Sequence, residues 1–345
     1  MPLRHSVRHI SRVARLIFSK SQNDCGARRF SSSAPLLNET ARRSALFTAE
    51  KQRQREEVGR ISKIEVEVTS DFGDELLVMN SELSTPYDCA RHISEHLCKQ
   101  SVIALVDTNK ISNQPWDMHR PLTETCRLQF LKTTNINPWA ANNAFWRSCS
   151  FMLGAVVSQA FRDDITVILH SFPSPNVSSG SFVLDAYVGL ESWNPSPEEL
   201  RALSKEMVKL GGKELPFERL SVSRELAEEM FSDNLYKVNH ISKIYETHNE
   251  VVVYRVGDHV DISRGPMMNH TGLLGRCTIA SVHYLEEDQL YRFQGVALPT
   301  GHKLNHYAYG ILERRASFLN DHMVPSKVTF EPGTEFATES QQVVR

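Results

Sequence analysis

The 345-residue chain carries 39 basic and 41 acidic side chains and is 41% hydrophobic and 23% charged. These values are ordinary for a soluble globular protein with room for two or three domains and a sizeable core. No apolar run reaches the roughly 20 residues of a membrane span, which argues against membrane insertion.

Residues 1–30 differ in kind. Arg4, Arg8, Arg12, Arg15, Lys20, Arg28 and Arg29 face one acid, Asp24, and Leu3, Val7, Ile10, Val13, Leu16, Ile17 and Phe18 make an apolar helical stripe. An Arg-rich, Ser-containing, acid-poor and amphipathic segment predicts a mitochondrial presequence and hence the matrix. Arg28-Arg29-Phe30-Ser31 supplies a processing site after Phe30. A disordered basic tail that binds nucleic acid is the alternative. A secretory signal fits worse, because it needs an uninterrupted apolar region.

Taking away the seven basic groups and one acid of that segment leaves 32 and 40, a net of −8. So acidic a body is a poor general phosphate binder, and any RNA contact has to come from local patches. Protein neighbours are expected beside RNA. Cys25, Cys89, Cys98, Cys126, Cys149 and Cys277 form no Cys-x-x-Cys pair. Neither a zinc ribbon nor a disulfide framework is predicted, and the thiols are expected to be reduced.

Within the extension 31–59, residues 38–57 read as a polar helix whose only sizeable apolar groups are Leu46 and Phe47. Such a helix is either solvated or laid against a partner. Arg42, Arg43, Lys51, Arg53 and Arg55 are its candidate RNA contacts; a solvated charged face is the plainer explanation.

Residues 60–133 read as a compact α+β unit. Strands are expected from Ile61 to Val68 and over Glu75–Met79, then a helix opened by Ser84-Thr85-Pro86 and running through Cys98. Val102–Val106 and Cys126–Phe130 add two more strands, so the order predicts a β-grasp fold. His92 and His96 stand four apart beside Cys98, a spacing that can chelate zinc on one helix face. No third ligand is placed to close that site, so no metal is assigned.

Residues 138–312 read as a larger α+β domain. Asn142–Phe161 is a helix with Phe145, Cys149, Met152, Val156 and Ala160 at three- and four-residue steps. Strands follow at Ile165–His170 and Ser181–Tyr187, then a capped helix from Pro195 to about Leu210. Val251–Arg255 is a strand leading to a Gly257–Asp261 turn, and Arg292–Thr300 is a further strand. The 313–345 tail continues a helix through Arg314 and Arg315, then turns polar and loose.

Two families of likeness then emerge. Ser84–Ala90, Ala104–Asp107 and Pro121-Leu122 resemble the TGS domain of threonyl-tRNA synthetase and certain GTPases. Leu215–Leu220, Val222–Ala227, Asp233–Val238, Arg264-Gly265-Pro266 and Arg292–Thr300 resemble the editing domain of the same synthetase. The resemblance covers about residues 60–312 and implies a β-grasp TGS domain followed by an editing-type α+β domain.

In those relatives a His-x-x-x-His segment and a Cys-x-x-x-His segment position the water that hydrolyses a mischarged aminoacyl-tRNA ester. The matching positions here hold Arg147, Phe151, Ser263 and Met267. That work needs groups able to act as neutral ligands or bases near neutral pH. Arg147 has no acceptor, Phe151 no polar atom, Met267 only a thioether, and Ser263 no base beside it. His259 is either a substitute base or, the favoured reading, a turn residue satisfied by local hydrogen bonds. After Thr300 too few residues follow for a class II aminoacylation domain and an anticodon-binding domain, so the chain is not expected to charge tRNA.

Gln114–Met118, Trp146–Cys149 and Tyr291–Val296 also resemble a family of mitochondrial large-subunit ribosomal proteins. This implies a structural constituent without catalysis or cofactor, contacting mitochondrial large-subunit proteins and rRNA and taking no small-molecule substrate. The rivals are a free-standing hydrolase, which would need the four cluster positions intact, and a tRNA- or mRNA-binding regulator outside the ribosome.

Overall fold

The computed structural model describes residues 35–321 apart from positions 71, 72, 136, 173, 175, 191 and 249. The expected presequence and the end of the tail lie outside these residues.

The first unit is a mixed five-stranded sheet. Strands β1 (Lys63–Ser70) and β2 (Gly73–Asn80) form a hairpin, and β1 pairs parallel with β5 (Cys126–Leu131). Strand β3 (Ile103–Asp107) runs antiparallel to β5 and to the short β4 (Gln114–Trp116), giving the order β2-β1-β5-β3-β4. Alternation puts Val66, Val68, Ala104, Val106 and Leu128 on one face, against Cys89, Ala90 and Leu97 of two helices. This is the β-grasp arrangement.

The helix expected to run through Cys98 is two helices, α2 (Pro86–Ile93) and α3 (Glu95–Gln100). Thr85 and Asp88 cap the start of α2 reciprocally. Ser94 then adopts an extended conformation (φ −162°, ψ 135°), and its hydroxyl caps α3 by accepting from the His96 N–H. His92 and His96 therefore do not share one continuous helix face. Both are exposed while Cys98 is buried, and no metal-binding group of three or more His, Cys, Asp or Glu occurs among the described residues.

The larger domain is built around α4 (Trp139–Ala160), buried on all sides along most of its length from Ala144 to Val157. A four-stranded antiparallel sheet packs against it in the order β11-β12-β7-β6: Leu274–Leu285, Leu290–Pro299, Phe182–Val188 and Val167–Ser171. A three-stranded sheet, β8 (Glu218–Val222), β9 (Val251–Val256) and β10 (His259–Ile262), has order β10-β9-β8. Helix α5 (Pro197–Gly211) starts with a Ser196–Glu199 capping box. Helices α6 (Arg224–Met230), α7 (Leu235–Thr247) and α8 (His306–Ala316) take side-chain caps from Ser223, Asn234 and Asn305.

The polar extension is helix α1 (Pro35–Glu57), and its partner is the chain itself. Phe47 is fully buried in a cluster with Leu220, Val222, Met230, Phe231, Val253 and Val260, beneath the Arg255 guanidinium 4.5 Å from its ring. Phe47, the partly buried Leu46 and a row of charges dock it, which the sparse apolar content of α1 did not suggest. Among the described residues no helix is long and apolar enough to cross a membrane.

Candidate functional site

The two motifs meet in space. Arg147 and Phe151 lie one turn apart on α4, and Ser263 and Met267 lie on the loop that leaves β10. Arg147 Nη1 donates to the Pro266 carbonyl at 2.8 Å. Ser148 Oγ receives the Met268 N–H at 2.8 Å and sits 3.5 Å from the Met267 sulfur. Ser263 Oγ accepts from the Gly265 N–H at 3.4 Å. The helix and the loop are thus laced together at the place where the resemblance puts hydrolytic groups.

The interior is filled. Phe151 is fully buried, with edge contacts to Phe217 (5.8 Å), Phe172 (6.2 Å), Tyr254 (6.5 Å) and His259 (5.1 Å). Met267 is buried in the same core. Rings at these centroid separations and angles pack as ordinary edge-to-face aromatic clusters.

His259 is not a turn residue. It lies in β10, buried, with its Nε2 without a hydrogen-bond partner. Burial pushes its pKa down to about 4, against a smaller opposing pull from Asp261. It is neutral at physiological pH, and its ring faces hydrocarbon. The thiols are no more reactive: burial pushes Cys277 up to about 12 and Cys149 well above its ordinary value. All five described cysteines are free and buried.

Asp117 is the residue whose role sequence reasoning missed. It sits in the turn after β4 and is buried against the larger domain. Its carboxyl accepts the Tyr254 hydroxyl at 2.9 Å on both oxygens and the Met267 N–H at 2.8 Å, with Arg219 at 3.9 Å. Burial raises its pKa, opposed by these donors. Gly265 completes the fit. Its φ of +68° is in the left-handed region, and a Cβ there would fall 1.9 Å from the Tyr254 hydroxyl. An aspartate between Trp116 and Met118 carries no local signal of a partner more than a hundred residues away. Nearby, Asn269 Nδ2 donates to the Cys98 carbonyl at 2.7 Å, and His119 Nε2 lies 3.1 Å from the Asn269 carbonyl. The β-grasp unit and the larger domain are joined through the same loop.

The five basic residues of α1 mostly face inward or along their own helix. Arg42 and Arg43 donate to the Glu229 and Met230 carbonyls at the end of α6, and both pair with Asp233. Lys51 pairs with Glu218 at 2.6 Å, and Arg53 with Glu50 and Glu57. Arg55 is exposed. Cations at a helix C-terminus complement its dipole, so Arg42 and Arg43 read as docking residues of α1.

Residues 80–132 match the TGS domain. The chain is 49% identical to the large ribosomal subunit protein mL39 of Drosophila melanogaster over 292 residues, 83% of this chain and 86% of that protein. It is 29% identical over 266 residues to the probable cytoplasmic threonine–tRNA ligase 1 of Dictyostelium discoideum, 73% of this chain but 35% of the ligase. Against human cytoplasmic threonine–tRNA ligase 1 the identity is 30% over 225 residues, 63% of this chain and 28% of the ligase. The chain spans about a third or less of these ligases.

Proposed function

Because the chain belongs to the family of the large ribosomal subunit protein mL39, we propose that it is a structural, non-catalytic constituent of the mitochondrial large ribosomal subunit. It works in the mitochondrial matrix, delivered there by the presequence of residues 1–30, among large-subunit proteins and rRNA. The observation that carries the non-catalytic part is the packed interior around Phe151 and Met267. An ester hydrolase needs a base or ligand set at that place and a space for the ester. Here an aromatic cluster and a thioether occupy it, and His259 is neutral and edge-on to Phe151.

Sedimentation tests this. A gently lysed mitochondrial extract is run on sucrose gradients at low and high salt, following this chain. Co-migration with the large subunit that persists at high salt is the expected result. A chain running near its monomer mass, free of ribosomes, overturns the proposal in favour of a tRNA- or mRNA-binding regulator.

A further inference from the structure

Four arginines come from four segments that meet at the Asp117–Met267 junction: Arg120 after β4, Arg147 on α4, Arg219 on β8 and Arg264 after β10. Three have fixed positions. Arg120 stacks over the Trp116 ring at 3.5 Å, Arg147 is anchored on the Pro266 carbonyl, and Arg219 stands 3.9 Å from Asp117. Arg264 is exposed, beside the Gly265 backbone that is pressed onto Tyr254. The four guanidinia repel in pairs: Arg219 acts on Arg120, and Arg264 on Arg147. Asp117 acts on Arg120, Arg147 and Arg219, and Glu250 on Arg120. Glu218, next in sequence to Arg219, is already engaged by Lys51 and Arg255. Among the described residues, Arg120 and Arg147 thus each meet a like charge as well as Asp117, in a setting where partial burial strengthens like-charge repulsion.

A bound anion would relieve that repulsion. Guanidinium groups are planar, permanently charged and forked, a match for pairs of phosphate oxygens. Because Phe151 and Met267 occupy the interior, the anion has to be met at the rim, not inserted as a terminal nucleoside. We propose that Arg120, Arg147, Arg219 and Arg264 form a binding site for the phosphates of an RNA backbone. The site rests on the ribosomal reading above, which supplies the RNA. It also reconciles an acidic body with an RNA-rich surrounding, since the contact is local.

The test uses the full chain and a blunt-ended RNA duplex of arbitrary sequence, with affinity followed across salt concentrations. Arg264→Gln is expected to lower the slope of log affinity against log salt by about one, and adding Arg120→Gln to lower it further. Arg264→Lys keeps the charge and should keep the slope. Arg201→Gln, an exposed arginine paired with Glu198 on α5, should leave it unchanged. Transfer RNA with and without its 3′-terminal CCA should bind alike. A wild-type slope in Arg264→Gln, no salt-sensitive binding by the parent chain, or a requirement for the CCA end each overturns the site. The same variants on sucrose gradients separate the two ideas. An unchanged slope in a chain that still migrates with the large subunit sinks the phosphate site alone. A reduced slope in the variants, with the parent chain itself running free of ribosomes, sinks the ribosomal reading and leaves the site standing.

Discussion

The filled pocket and the outer face of the four-stranded sheet bury their side chains in opposite ways. At the pocket, where the resemblance puts hydrolytic groups, stand Phe151 and Met267, and the buried His259 is neutral. On the sheet, Asp185 of β7 and Arg292 of β12 are cross-strand partners and make a two-bond ion pair at 2.8 Å with almost no exposure. The chain after α8 covers this pair. Arg292 donates to the Asn320 carbonyl, the Gln294 amide donates to the Ala316 and Phe318 carbonyls, and Asn320 Nδ2 reaches Ser179 and Ser181. Hydrocarbon needs no partner when buried, whereas a charge needs nearly all of its hydrogen-bonding capacity met. The pocket therefore needs only shape to fill it, while the sheet face is tied to a complete polar set.

The largest expected effect lies on the sheet. Asp185→Ala should cost about 3–5 kcal/mol in denaturant unfolding, because it leaves the Arg292 guanidinium buried without its counter-ion. The paired exchange Asp185→Leu with Arg292→Met should recover most of that loss. If the single and the paired changes cost the same, the pair is not held by charge and the contrast with the pocket fails.

The pocket should show itself in acid. His259 has a folded-state pKa of about 4, below the ordinary 6.5. The unfolded chain takes up this proton as pH falls below about 6.5, while the folded chain stays neutral until about 4. Stability from this group is thus present at neutral pH and lost between those values, by about 3 kcal/mol at the acid end. Unfolding free energies measured from pH 7 to pH 4 should fall less steeply in His259→Leu than in the parent. Parallel profiles would mean that His259 is solvated or paired.

The smallest effect belongs to Met267→Leu. Because the thioether serves as filler there, a swap of similar volume should cost less than about 1.5 kcal/mol and leave sedimentation with the large subunit unchanged. A larger loss, or release from the subunit, would give the sulfur a role beyond packing.

Much of this protein is written locally. The alternation of Val66 and Val68, the Thr85-Pro86 and Ser196-Pro197 starts, and the spacing along α4 depend on residues a few positions apart, so strands, caps and the long helix could be read directly. What Arg147, Phe151, Ser263 and Met267 can donate or accept was equally plain, since side-chain identity alone decides it. Other features needed the folded chain. The break at Ser94, the strand position of His259, the docking of α1 through Phe47, the Asp185–Arg292 and Lys237–Asp261 pairs, and the Asp117–Tyr254–Met267 junction were not legible. Each depends on groups brought together across the sequence, where burial sets the strength of a charge or the need for a partner. Sequence by itself determined what chemistry Arg147, Phe151, Ser263 and Met267 lack, because side-chain identity fixes it. Only tertiary contact decided that the four meet and that Phe151 and Met267 are buried in one core, because that depends on groups far apart in the chain.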